Sequence, residues 1–268
     1  MNYRDEIKKS KRVVVKIGTS TITYSTGRIN LHRLEYLARV LSDLKNRGID
    51  VVLVSSGAVG VGSKILGFDR RPNKIKYKQA AASIGQASLI QMYKNFFSQY
   101  NQNVAQILLT KEDIQDKNRK KIITSTFETL FELNIIPIVN NNDAIATDEI
   151  EFSDNDNLSA IVAESLKADL LILLTDIDGL YTDNPKINSK ATRVSIIENI
   201  DDSIKDMANG SGSKFAVGGM QTKIQAASKV MNNTNVVIAN GEDPTVIYDI
   251  LNGNDVGTLF VRKELKWV

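Results

Sequence analysis

The chain of 268 residues contains no cysteine and one histidine, His32. The first absence removes disulfides, thiolate nucleophiles and zinc sites built from sulfur. The second leaves His32 alone to supply any imidazole chemistry, and its setting argues against that role. It follows Asn30, an N-cap by residue type, at the head of the apolar spacing Leu34, Leu37, Ala38, Leu41 and Leu44, which predicts a solvated first-turn residue. A Ser/His/Asp triad and a histidine-rich metal centre are therefore disfavoured, and a metal here would be a hard cation held by oxygens, such as Mg²⁺. Charge of one sign is also scarce: 34 Lys plus Arg stand against 31 Asp plus Glu, a net +3, and aromatics make up 6%. That is too little of either for a nucleic-acid partner, and the expected substrate is small. No apolar run approaches the roughly 18 residues needed to span a bilayer. The opening MNYRDEIKKSKR has no apolar centre and carries acidic residues, unlike a secretory or transit peptide, so a cytoplasmic location is expected.

Internal repeats, low-complexity linkers and composition breaks are absent too. With 42% hydrophobic residues the chain can bury a full core, and one domain over 1–268, with a flexible leader over about 1–11, is the expected organisation. Short apolar runs alternate with helical patterns from end to end. The runs are Arg12 to Gly18, Asp50 to Gly57, Asn103 to Thr110, Ile135 to Asn140, Asp169 to Asp176 and Asn235 to Asn240. Rich in Val, Ile and Leu without strict alternation, most of them read as strands buried on both faces. Helices are expected over Leu31 to Arg47, about Ile75 to Tyr100, about Asp116 to Leu133, Leu158 to Lys167, Met220 to Asn232 and Pro244 to Leu251, and GTLFV (Gly257 to Val261) reads as an edge strand. This is an α/β pattern: a mostly parallel sheet covered by helices on both faces. The Gly- and Ser-rich stretch NGSGSKFAVGG, Asn209 to Gly219, reads as a mobile loop.

The most suggestive segment is NNNDAIATDEIEFSDNDN, Asn140 to Asn157, directly after the apolar run IIPIV. Ligands bind beyond the carboxyl ends of parallel strands, and Asn and Asp there offer short hydrogen-bonding arms; a long solvated turn is the plainer alternative. Other runs also exit into small or polar residues, at Lys16-Ile-Gly18-Thr-Ser, Ser55-Ser-Gly57-Ala, Thr175-Asp176 and Asn240-Gly241. In a parallel sheet all five exits share one edge, which would build a polar cleft for phosphates and a small zwitterion. Lys16 closes an apolar strand and precedes Gly18, although a lysine at a strand end is more often solvated than functional. Lys223 falls in the first turns of a helix after Gly218-Gly219, where a cation opposes the helix dipole and an anionic ligand would resolve the mismatch. DNDN, at 154–157, holds more capping residues than one helix end needs. There is no GxxxxGK[ST] motif, and Gly57-Ala-Val-Gly60-Val-Gly62 has the wrong order for a dinucleotide fingerprint.

In order and spacing, VVVKIGTSTIT, VLVSSGAVGVG, PIVNNNDAIAT, FSDNDNLSA, LLTDIDGLYTDNP and VGGMQTKIQAA resemble the amino acid kinase family, and within it the glutamate 5-kinase branch. The match runs from about Arg12 to Val261. The resemblance implies a three-layer αβα sandwich whose N-terminal part binds the amino acid and whose C-terminal part binds ATP. It implies transfer of the γ-phosphoryl group of ATP to the side-chain carboxylate of L-glutamate, the first step of proline synthesis, with Mg²⁺ bound chiefly through the nucleotide. Carried over by motif, Lys16 and Lys223 would contact the phosphates and the moving phosphoryl group, and Asp156 would hold both lysines. Ser56, Asp143 and Asn155 would bind glutamate, with Gly57, Ala58, Asn140 and Asp154 nearby. Thr175, Asp176 and the stretch Val217, Gly218, Gly219, Met220, Gln221, Thr222 and Lys223 would meet the nucleotide. Proline as feedback inhibitor, a homo-oligomer and a glutamyl phosphate reductase as downstream partner are further implications. Many bacterial members append a PUA-type domain after the kinase; with the chain stopping at Val268, a form without that domain is expected. Departures fall in the acceptor loop: Glu151 and Ser153 stand where the family pattern has lysine and glycine, and NNNDA replaces NENDA. Kinases for aspartate, N-acetylglutamate or a nucleoside monophosphate, and a non-catalytic nucleotide- or glutamate-binding regulator, are the alternatives.

Overall fold

The computed structural model describes residues 2–145, 155–185, 187–209 and 217–263. The strands are β1 (Arg12–Ile17), β2 (Asp50–Ser55), β3 (Val104–Leu109), β4 (Ile136–Asn141), β5 (Leu170–Thr175), β6 (Ile196–Ile197), β7 (Asn235–Asn240) and β8 (Thr258–Phe260). The helices are α1 (Tyr3–Ile7), α2 (Thr19–Ile22), α3 (Leu31–Asn46), α4 (Ala58–Ile65), α5 (Ile75–Ser98), α6 (Lys111–Gln115), α7 (Lys117–Glu132), α8 (Asn155–Ser165), α9 (Asp202–Asn209), α10 (Val217–Val230) and α11 (Val246–Leu251). Among the described residues the strands form one eight-stranded sheet in the order β3-β4-β2-β1-β5-β7-β8-β6. Every neighbouring pair is parallel except β7 with β8. The sheet therefore matches the α/β expectation, with one correction at its margin. GTLFV is not the edge: β8 lies between β7 and the two-residue β6, a strand too short to leave a pattern in the sequence.

Most apolar runs became strands because their residues are buried on both sides; β3, at the sheet edge, buries only Leu109 fully. Val13, Val15 and Ile17 pack on one face with residues of α1, α3, α5 and α11, while Val14, Val52 and Val54 pack on the other with residues of α7, α8 and α10. Two cores on opposite faces of one sheet make three layers, α, β and α. Each fully buried Val, Leu or Ile in them contributes about 1.5–3 kcal/mol relative to exposure.

Helix starts follow local chemistry. Asn30 caps α3 by accepting from the Arg33 backbone N–H at 3.0 Å, and Asp116 caps α7 by accepting from the N–H groups of Asn118 and Arg119, both at 2.8 Å. His32 is exposed in the first turn of α3 and stacks on Tyr36 with ring centroids 4.4 Å apart, as a solvated residue would. The opening segment differs from the expected flexible leader. It forms α1, whose Ile7 is fully buried and whose Arg4 guanidinium donates to the carbonyls of Asn254, Val256, Gly257 and Ser195. A single arginine thus ties the start of the chain to the segments that lead into β6 and β8. Of the stretch 209–219, Asn209 ends α9 and 217–219 open α10, so that helix begins three residues before Met220. Residues 210–216 lie outside the described residues.

α4 has no counterpart in the sequence reading, because AVGVGSKI looks like a broken pattern. Its glycines serve packing. A Cβ on Gly62 would stand 1.8 Å from the Ala81 carbonyl oxygen of α5, and one on Gly85 of α5 would stand 1.8 Å from the Ala58 carbonyl oxygen of α4. The two helices touch backbone to backbone, a contact no side chain permits.

Candidate functional site

β1 sits where the strand order reverses: β2, β4 and β3 extend to one side of it and β5, β7, β8 and β6 to the other. In open parallel sheets that switch point, at the carboxyl ends of the strands, is the ligand crevice. The exits of β1, β2, β4, β5 and β7 share that edge because those strands are mutually parallel.

The period of two along β1 decides where Lys16 goes. It shares the face of Val14, the face on which α8 and α10 pack. There its Nζ lies 2.6 Å from Asp156 Oδ1, in the first turn of α8. Lys223, in the second turn of α10, brings its Nζ to 3.1 Å from Asp156 Oδ2. Two lysines far apart in sequence are thereby held on the two oxygens of one carboxylate. Thr222 adds a hydroxyl that donates to Oδ2 at 2.8 Å, and Lys223 also donates to the Gly219 carbonyl at 2.9 Å. All three charged groups are buried, at 5% exposure for Lys16, 1% for Asp156 and 7% for Lys223, so their pairing is obligatory. Burial by itself would raise the Asp156 carboxyl, but Lys16 and Lys223 outweigh it and, with the Thr222 bond, hold it below the ordinary aspartate value. The dipole mismatch expected at Lys223 is met by Asp156 and Gly219. The sequence reading placed Thr222 beside the nucleotide and had no signal for its bond to Asp156, which exists only once α8 and α10 are side by side.

A second cluster adjoins this one on the β2 and β4 side. The two hydrogens of Asn155 Nδ2 are shared among three acceptors, Ser56 Oγ at 2.8 Å, Asn140 Oδ1 at 2.9 Å and the Ser55 carbonyl at 3.0 Å. The Ser55 hydroxyl pairs with Tyr93 Oη of α5 at 2.8 Å, and burial pushes that phenol up despite the bond. Gly57 adopts a positive φ of 107°, where a Cβ would meet Ile22 Cδ1 at 2.6 Å; it opens α4 with no side-chain cap, so the first-turn N–H groups at Ala58 and its neighbours have no intrahelical partner. Beyond β4, Asp143 accepts from Asn141 Nδ2 at 2.8 Å. Burial raises the Asp143 carboxyl above the usual aspartate value, against the opposing pull of Asn141 and Arg71. A cleft of about 240 Å³ opens here, lined by Ala58, Gln86, Gln106, Asn141 and Asp143 among others.

On the β5 and β7 side, Thr175 is buried and donates to Asp176 Oδ1 at 3.1 Å, while Asp176 itself is exposed. Val217, Gly218, Gly219, Met220 and Gln221 form the first turns of α10, and Gly219 and Gln221 are exposed at its start. The structure thus brings Lys16, Lys223, Asp156 and Thr222 into contact, and Ser56, Asn140 and Asn155 into contact. It places Asp143 beside the second group, and Thr175 with Asp176 at the exit of β5. Asp154, Glu151 and Ser153 lie outside the described residues. One boundary moves: α8 begins at Asn155, so Asn155 and Asp156 belong to the helix rather than preceding it.

A larger groove, about 490 Å³, lies at the opposite ends of β1 and β2. Three of its charged side chains pair: Arg12 forks onto Glu128 at 2.8 and 2.9 Å and reaches Asp50 at 3.2 Å. Among the described residues no three acidic or histidine side chains converge to hold a metal, and no helix is long and apolar enough to cross a membrane.

The chain is similar to known proteins. A family model described as amino acid kinase matches residues 11–240. A glutamate 5-kinase of Clostridium perfringens is 48% identical over 97% of this chain and 99% of its own, and one of Listeria innocua is 49% identical over 97% and 96%. A solved carbamate kinase from Giardia lamblia bound to AMP-PNP overlays with a TM-score of 0.68 over 95% of this chain and 99% of that one, at 15% identity, a likeness of fold alone. With the family model spanning most of the chain and relatives near half-identical from end to end, the chain belongs to the amino acid kinase family, in its glutamate 5-kinase branch.

Proposed function

We propose that the protein transfers the γ-phosphoryl group of ATP to the side-chain carboxylate of L-glutamate, yielding L-glutamate 5-phosphate and ADP. The observation that carries this reading is the pair of buried lysines, Lys16 and Lys223, gripping one carboxylate beside a carboxamide-lined cleft. A glutamate carboxylate has a reference pKa of about 4.3, so at neutral pH it is already a nucleophile and needs no general base. That accords with a chain holding one exposed histidine and no cysteine. A carboxylate oxygen attacks the γ-phosphorus, the bond to the β–γ bridging oxygen breaks, and ADP leaves with that electron pair. What the protein must supply is alignment and positive charge where the phosphoryl oxygens accumulate negative charge.

In this reading Lys16 and Lys223 provide the charge, and Asp156 holds them in place until phosphates compete for them. Ser56, Asn140, Asp143 and Asn155 bind glutamate, with Gly57, Ala58 and Asp154 adjoining. Thr175, Asp176 and the start of α10 receive the nucleotide. Mg²⁺, lacking a protein cage among the described residues, would arrive on the ATP phosphates and neutralise part of their charge. A cytoplasmic location as one catalytic domain, entry into proline synthesis, inhibition by proline, a homo-oligomer and a reductase that consumes the acyl phosphate complete the proposal.

Trapping the product with hydroxylamine, across an acceptor panel with ATP and Mg²⁺, tests it. Hydroxamate and ADP are expected with L-glutamate well above aspartate or N-acetylglutamate, and a preference for either rival overturns the substrate assignment. An added proline arm reads the feedback. Asp143→Ala is expected to raise the glutamate KM about tenfold or more while lowering kcat less, because its proposed task is to hold the bound glutamate. The wild-type KM should also climb as pH falls, beginning at higher pH than an exposed aspartate would dictate, since burial holds the Asp143 carboxyl above the usual value. In Asp143→Ala that part of the pH dependence disappears; a KM unaltered by the substitution removes Asp143 from the acceptor site.

A further inference from the structure

We infer that Gln86, in the middle of α5 and outside every motif named above, is the positioning residue that sets the hydrogen-bond polarity of the acceptor pocket. The oxygen and nitrogen of a carboxamide have nearly the same shape, so their assignment must come from an unambiguous partner. Here one exists. The backbone N–H of Asn141 can only donate, and it meets Asn140 Oδ1 at 2.8 Å. The other end of that amide is then Nδ2, and it donates at 2.8 Å to Gln86, whose facing atom must be the acceptor Oε1. Asn140 Oδ1 also receives Asn155 Nδ2 at 2.9 Å, and the same Nδ2 faces the Ser55 carbonyl at 3.0 Å, which accepts only. Polarity therefore runs without ambiguity from Gln86 through Asn140 to Asn155. It ends on Asn155 Oδ1, an acceptor buried with no hydrogen-bond partner among the described residues. A buried acceptor left open at the end of an ordered relay suits the ammonium group of an amino acid.

Gln86 is itself held firmly. Its neighbour Gly85 lies so close to α4 that a Cβ would stand 1.8 Å from the Ala58 carbonyl oxygen. α5 thus fixes Gln86 relative to Ala58 on one side and Asn140 on the other, and Gln86 lines the cleft of about 240 Å³ between them. Asn140 is 2% exposed. Removing the Gln86 acceptor leaves a buried donor unpaired, and Asn140 relieves that by turning away from Asn155.

The inference rests on the proposed role of Asn140 and Asn155 in holding the acceptor, and a double-mutant cycle separates the two. Steady-state kinetics of Gln86→Met, a substitution of similar length and good helix propensity, should show the glutamate KM raised about tenfold. The kcat, the ATP KM and the thermal midpoint should stay close to wild type. Asn140→Ala should raise the glutamate KM by itself, and adding Gln86→Met to it should change nothing further, a coupling that general helix packing would not produce. If Asn140→Ala raises KM while Gln86→Met is silent, or if the two effects add, the inference is overturned and the acceptor assignment stands. If Asn140→Ala leaves KM unchanged, the acceptor assignment fails and takes the inference with it. Gln86→Leu provides the same cycle if methionine lowers the thermal midpoint.

Discussion

Lys223→Ala should lower kcat at least about a hundredfold, the scale of losing one preorganised donor to a developing oxyanion. The physical reason is location. Its ammonium is buried, sits 3.1 Å from Asp156 Oδ2 and springs from α10 rather than from β1, so neither solvent nor Lys16 can stand in for it. The glutamate KM should change much less, because Ser56, Asn140 and Asn155 are tied to one another and not to Lys223. Single-turnover measurements with saturating ATP separate the chemical step from binding and release. A kcat indistinguishable from wild type would remove Lys223 from phosphoryl transfer and leave it a merely structural partner of Asp156.

Asp156→Asn should cost stability as well as turnover. The substitution strands two buried ammonium groups without a counter-charge, a class of change that destabilises by about 3–5 kcal/mol. In a domain of this size that is a drop in thermal midpoint on the order of 10 °C. The pH dependence has a definite sign. Because the folded-state carboxyl of Asp156 lies below its unfolded value, the stabilisation is fully present above the ordinary aspartate range and is lost as pH falls through the folded value. Denaturant unfolding of the two proteins should therefore differ most near neutrality and converge in acid. Superimposable unfolding curves at pH 7 would mean that the carboxylate is not what holds the lysines inside.

Much of this arrangement is legible in the sequence, and the boundary between what is and is not has physical causes. The parallel strands were legible because burial on both faces demands unbroken Val, Ile and Leu. Lys16 was harder: from its neighbours alone a solvated lysine was the plainer reading, and its motif marked it only through resemblance. Periodicity does put it on the face of Val14, but the presence of α8 and α10 on that face is a matter of topology. The same holds for Thr222. α4 was hidden because glycines that weaken a helix in isolation are what its packing against α5 requires. β6 was hidden because two residues carry no period. Gln86 was hidden because a polar residue on a helix face looks alike whether it meets water or Asn140.

The backbone contact between α4 and α5 has a mechanical consequence. With no side chain between Gly62, Gly85 and the carbonyls they face, there is no compliant layer to absorb strain, and the helices shift together or not at all. Displacement of α5 therefore bears directly on α4, which begins next to Gly57 and Ser56. The rim of the cleft lined by Ala58 and Gln86 is, in this sense, joined to the exterior of the molecule through α5.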